Sequence, residues 1–188
     1  NNPTFASITK SESTDFKFIG RFDIKNPENG STVYAEESYL IQWDKWGDGI
    51  NDVVIQYSTQ GNTAYENVFA GEGKTANDGA QSWTVPAATS QTCKLRMYDP
   101  RVFDINNSET FNVSLNNYEI RGALTLTQPN GNQKWNVSSA YPIIWTKKGT
   151  LGSIGIKYSY NGGSSYPTDV AVGVAASDGS WSWTIDPD

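Results

Sequence analysis

The sequence predicts an all-β chain built as two β-sandwiches in tandem, the second one incomplete. Three observations carry this. First, the chain repeats itself: sixteen residues separate Pro27 from Trp43, and sixteen separate Pro129 from Trp145. Self-similarity at a fixed spacing marks a repeat architecture. Second, short runs alternate apolar and polar residues, the period of a half-buried strand, and no window sustains a helical period. Third, 17 Gly and 8 Pro punctuate these runs among 188 residues, as loop-rich all-β chains require.

The elements follow in order. Phe16 and Phe18 alternate ahead of Gly20, and Phe22 and Ile24 follow it before the turn at Pro27-Glu28-Asn29-Gly30. The later copy enters the same way, through Tyr118-Glu119-Ile120-Arg121-Gly122-Ala123-Leu124-Thr125-Leu126 and then Pro129-Asn130-Gly131. Residues 1–20 are thus expected to be the closing strand of a preceding module or an N-terminal extension. Further strands are predicted at Tyr39/Ile41/Trp43, Val53/Ile55/Tyr57, Tyr65–Phe69, Trp83/Val85, Cys93/Leu95/Met97 and Glu109–Val113. Gly47-Asp48-Gly49, Gln60-Gly61-Asn62 and Asn77-Asp78-Gly79 supply the turns. Seven strands in about 100 residues is the size of an immunoglobulin-like sandwich.

The second copy answers with Tyr141/Ile143/Trp145, Ile154/Ile156/Tyr158 and Ser182-Trp183-Thr184-Ile185, and nothing in it matches Thr92–Tyr98 or Glu109–Val113. The expected organisation is a first sandwich over 21–117 and a second over 118–188 that lacks its last two strands. Residues 115–126 read as strand running into strand, with Gly122 as the one swivel.

Composition narrows the partners. The net charge is −6 and the pI about 4.6, which disfavours nucleic acid, bound mainly through Lys and Arg. Membrane insertion is not expected, since no apolar run is long enough to span a bilayer as a helix. Histidine is absent, and with it the commonest general base. Cys93 is the only cysteine. It shares a face with Leu95 and Met97 and should be a buried, inert thiol.

Taken together, the Pro27-x-x-Gly30 turn, Ile41-Gln42-Trp43, Tyr57-Ser58-x-x-Gly61, Gly79-x-x-Ser82-Trp83-Thr84 and Thr92-Cys93-Lys94-Leu95-Arg96-Met97 form a recognisable pattern. The pattern resembles the tandem Ig-like modules of very large bacterial and archaeal surface proteins. It is distantly similar to the Knh-like domain of fungal cell-wall glucan-assembly proteins. The resemblance covers residues 16–188. It implies an Ig-like fold in tandem, and spacer, adhesive or wall-scaffold roles. The first copy departs from the pattern at Val33, where the second has Trp135, and in the acidic stretch after Trp43.

Candidate sites are few. Asp44, Asp48, Asn51 and Asp52 surround a Gly turn and could wrap a hard cation such as Ca²⁺, although the spacing is not that of an EF-hand. Trp46 and Tyr34 could offer aromatic faces to a sugar. Asn29, Asn106, Asn112 and Asn136 each open an Asn-x-Ser sequon. Tyr158–Tyr166 reads as a hairpin resembling a degenerate Asp-box. No pair of carboxylates or nucleophile–base constellation is evident, and no enzyme activity or cofactor is expected.

The expected function is a structural or adhesive module of an extracellular, repetitive cell-surface protein or fibre, in contact with neighbouring modules or identical subunits. Two rivals are a carbohydrate-binding module and an ancillary domain of a polysaccharide-acting enzyme. A third is a fibre subunit assembled by strand donation from residues 1–18.

Overall fold

The structure, a computed structural model, describes residues 20–69, 73–101, 111–114 and 117–187. Among these residues the chain is all-β, apart from a single 3₁₀ turn at Ala176–Asp178. The strand expected around Phe16 and Phe18, and residues 1–18 as strand donor, lie outside the described residues.

The first sheet is antiparallel, in the order β1 (Arg21–Asn26), β3 (Ser38–Trp46), β7 (Ala80–Thr84). Alternation in β3 buries Ile41 and Trp43 and leaves Leu40, Gln42 and Asp44 outside. A second sheet runs β2 (Thr32–Tyr34), β10 (Tyr118–Arg121), β8 (Ser90–Tyr98), β4 (Asp52–Ser58), β5 (Glu66–Asn67). Beside it, β6 (Lys74–Ala76) pairs with β4, and β9 (Phe111–Val113) pairs with β8. One core draws on both sheets: Phe22, Ile41, Trp43 and Trp83 from the first, and Val53, Ile55, Leu95, Met97, Tyr118 and Ile120 from the second. Cys93 is fully buried among them, and burial pushes its thiol pKa up, as expected for an inert thiol.

The repeat is visible in the fold. The sheet β11 (Ala123–Gln128), β12 (Ala140–Lys148), β15 (Ser180–Thr184) copies β1-β3-β7. Ile24 faces Trp43 as Leu126 faces Trp145, and the register slips just after each pair. Trp43 N–H donates to Gly79 O at 3.0 Å, and Trp145 N–H to Gly179 O at 2.9 Å. The rings of Tyr57 and Trp83 lie 5.3 Å apart, and those of Tyr158 and Trp183 lie 5.2 Å apart. Pro27 and Pro129 both follow cis peptide bonds.

Two expectations need correction. Tyr118–Arg121 does not open the second half. It closes the first, pairing parallel to β2 and antiparallel to β8, with Tyr118 and Ile120 each only 2% exposed in the first core. The first core therefore extends past residue 117, because two apolar side chains of this strand find their burial there rather than further on. Nor is Gly122 a swivel. A Cβ at this position would stand 2.6 Å from Leu151 Cδ2 and 2.7 Å from Lys148 O, so the position is closely packed.

Among the described residues, the second half has its three-stranded sheet and, as a separate two-stranded sheet, the hairpin β13 (Ser153–Tyr158), β14 (Thr168–Ala175). Its core is small: Ile143, Trp145 and Val174 are buried, with Trp135, Ile154, Ile156 and Trp183 partly so. The described residues hold no counterpart of β8, β9 or β10.

Candidate functional site

The acidic loop after Trp43 does not gather its carboxylates. Asp44 pairs with Lys25 at 3.2 Å, and Asp52 with Lys74 at 3.8 Å. Asp48 and Asn51 line a shallow hollow that Lys45 and Asn77 share, and the Lys45 ammonium donates to the Asn77 carbonyl. The loop carbonyls are already used: Asn77 Nδ2 donates to Ile50 O at 2.9 Å, and Asn77 N–H to Asn51 O at 2.7 Å. Asn77 is itself buried, and its Oδ1 accepts Trp43 Nε1 at 2.8 Å. The loop is thus pinned to the core by one amide side chain, a residue that sequence reasoning placed only in a turn. Among the described residues, no three His, Cys, Asp or Glu side chains come together as a metal site. The cation cage expected from Asp44, Asp48, Asn51 and Asp52 does not form.

Trp46 and Tyr34 are half-exposed, at 44% and 47%, but they do not make one platform. Trp46 ends β3, and Tyr34 lies beyond its start, where its carbonyl accepts Glu37 N–H. Eight strand steps of about 3.3 Å put the two ends of β3 roughly 26 Å apart. Arg21, opposite Trp46 on β1, places its guanidinium 4.3 Å from the Trp46 ring centroid. A cation–π contact of this kind covers one face of the indole.

Of the sequon asparagines, Asn29 and Asn136 are exposed. Asn112 is half-buried, and its Oδ1 accepts Ile24 N–H at 3.3 Å. Asn106 lies outside the described residues. The Tyr158–Tyr166 segment forms the expected turn, tied by Asn161 Oδ1, which accepts Ser165 N–H at 3.0 Å, and by Ser159 Oγ, which accepts Gly163 N–H at 2.9 Å.

Two features stand out instead. The first is the junction between the halves. Only Gly122 separates β10 from β11. Across the junction, Gly149 N–H donates to Glu36 Oε2 at 2.6 Å, and Lys148 Nζ meets Glu37 Oε1 at 2.8 Å. Thr150 N–H donates to Ala87 O at 2.7 Å, and Thr89 Oγ1 to Thr150 O at 3.0 Å. Gly149 is buried with φ 78°, and a Cβ there would be 2.8 Å from Ala35 Cβ. Backbone groups of Gly149, Thr150 and Ala87 take part in three of these four contacts, so the halves meet in one defined arrangement rather than through loose side chains alone.

The second feature is an open apolar groove of about 320 Å³ in the second half. Leu124, Leu126, Ile154, Ile156, Trp135 and Trp183 are among its lining residues. Trp135 stacks flat on Tyr141 with centroids 4.9 Å apart, and meets Trp183 edge-on at 6.3 Å. In the first half Tyr118 meets Trp83 edge-on at 6.5 Å. Trp135 therefore takes part of the space that a strand fills in the first core. No family model matches the chain, and no curated protein or solved structure is significantly similar to it.

Proposed function

We propose that this chain is a stiff structural section of a tandem immunoglobulin-like array, working at a cell surface or in an extracellular fibre as a non-catalytic spacer or adhesive stalk. The observation that carries the reading is the junction. Two copies of one construction are joined by a single residue and locked by hydrogen bonds from the Gly149 amide to the Glu36 carboxylate and from the Thr150 amide to the Ala87 carbonyl. Independent domains on a tether need no such contacts. A load-bearing or distance-setting rod does, because its length is useful only if each joint is fixed. In repeat proteins, stability is roughly the sum of unit terms and nearest-neighbour interface terms, so a specified joint supports the array reading. The extracellular placement rests on the sequence resemblance. No helix among the described residues is long and apolar enough to cross a membrane.

The test is backbone ¹⁵N relaxation on the whole chain. A stiff rod tumbles as one elongated body, so amides of β4 and β13 report a single anisotropic diffusion tensor. Separate, faster correlation times for the two halves would sink the spacer reading.

A further inference from the structure

We propose that the open groove of the second half is an acceptor for one extended strand that runs antiparallel to β13 and inserts apolar side chains at alternate positions. The proposal rests on the modular reading above, because its template is the first half. There, β8 occupies the corresponding seat. It pairs antiparallel with β4, setting Met97 opposite Ile55 and Leu95 opposite Tyr57. Cys93, Leu95 and Met97 are fully buried by that placement.

The second half presents the same seat without its strand. Ile154, Ile156 and Tyr158 stand where β4 has Val53, Ile55 and Tyr57. Val53 and Ile55 are fully buried, whereas Ile154 and Ile156 are only partly so. The opposite wall shows the same contrast. Phe22 is 2% exposed, while its counterpart Leu124 is 45% exposed, and Leu126, the counterpart of Ile24, is 54% exposed. In the first half β1 lies against β8 and β9. Among the described residues, β13 pairs on one edge only, with β14. An unpaired edge beside an apolar trough is the geometry of strand addition. Main-chain bonds give affinity, and alternate side chains give specificity.

The register defines the chemistry of the occupant. Apolar side chains belong opposite Ile156 and Tyr158. Between them stands Lys157, at the position where β4 has Gln56, which faces Arg96. Lys157 is already paired with Asp169 at 3.1 Å. A basic residue opposite it would be disfavoured, since like charges directly across a strand pair repel. The occupant is therefore a strand of the β8 pattern with an acidic or neutral residue in place of Arg96.

The experiment uses the full chain and a synthetic peptide of residues 90–98 carrying Cys93→Ser and Arg96→Glu. Hydrogen exchange and tryptophan fluorescence are followed on titration. The peptide should slow exchange at Ser153–Tyr158 and shift the tryptophan emission to the blue, a shift that Trp183→Phe should reduce. Adding Leu95→Asp and Met97→Asp to the peptide should weaken binding at least about tenfold. Leu126→Asp in the chain should weaken it as well, and this residue is exposed enough for the fold to survive its change. Absence of protection at β13 overturns the proposal, as does equal binding by the doubly charged peptide. Concentration-dependent self-association that disappears on removing residues 1–19 would also overturn it, by making a second copy the occupant. None of these results bears on the joint tumbling of the halves, so the groove and the rod stand or fall separately.

Discussion

Replacing Gly149 with alanine should loosen the junction while leaving both cores folded. The residue has φ 78°, a left-handed conformation that costs an L-residue about 1 kcal/mol or somewhat more. The added Cβ would also meet Ala35 Cβ at 2.8 Å, Gly122 Cα at 3.1 Å and Thr89 Cγ2 at 3.2 Å. Ala35 and Gly122 are short and fixed and cannot rotate away, so the crowding resembles overpacking, at roughly 1–3 kcal/mol. The two effects together come to about 2–4 kcal/mol. Gly30 separates them: its φ is 76°, and a Cβ there would meet nothing within 4 Å. Gly30→Ala therefore carries the conformational cost alone. Urea denaturation followed by tryptophan fluorescence gives the two stability losses. ¹⁵N relaxation of Gly149→Ala then shows whether the halves still tumble together. If Gly149→Ala costs no more than Gly30→Ala and the halves remain coupled, the junction is not specified by this contact.

Three further outcomes are expected. Asn77→Ala removes the partner of the buried Trp43 Nε1 and frees the Ile50 carbonyl, and should cost about 2–3 kcal/mol in urea unfolding; Asn77→Asp keeps the acceptor for Trp43 but sets a buried carboxylate oxygen against the Ile50 carbonyl, and should cost at least as much. Trp83→Ala should destabilise by about 3–5 kcal/mol, because Trp83 is 2% exposed, whereas Trp183→Ala, beside the open groove, should cost clearly less in the same measurement. Stability should also fall at alkaline pH. Burial and the Glu66 carboxylate push the Tyr57 pKa up to about 12, and burial raises that of Tyr118. With folded pKa values above the unfolded value of about 10, the neutral phenols favour the native state. Their contribution is complete below pH ~10 and declines as pH rises toward the folded pKa values. Alkaline unfolding monitored at the tyrosinate absorbance should move to higher pH in Tyr57→Phe, and an unchanged midpoint would remove Tyr57 from the account.

Much of the fold was legible because strand alternation and turn residues are local signals. Cys93, Leu95 and Met97 alternate on one face in sequence and are fully buried, and the spacing of Pro27 and Pro129 found the repeat that the paired registers of β1–β3 and β11–β12 display. β2, β6 and β14 were not legible. β2 and β6 are three residues long, too short for a period to show. β14, Thr168–Ala175, alternates Val170, Val172 and Val174 with Ala171, Gly173 and Ala175, so no polar residue marks an outer face.

The candidate sites fared differently. Asp44 and Asp52 look like cation ligands in one dimension, but each has a lysine closer at hand in three. Asn77 gave no signal at all, since an asparagine in a turn says nothing about whether its amide faces inward. By itself, then, the sequence determined the all-β class and the repeat, which depend on side-chain period and spacing along the chain. Only the tertiary structure decided that Tyr118 and Ile120 belong to the first core. It alone turned Gly122 from a hinge into a packed joint and left β13 with one edge unpaired among the described residues, because burial and strand partners are set by residues distant in sequence.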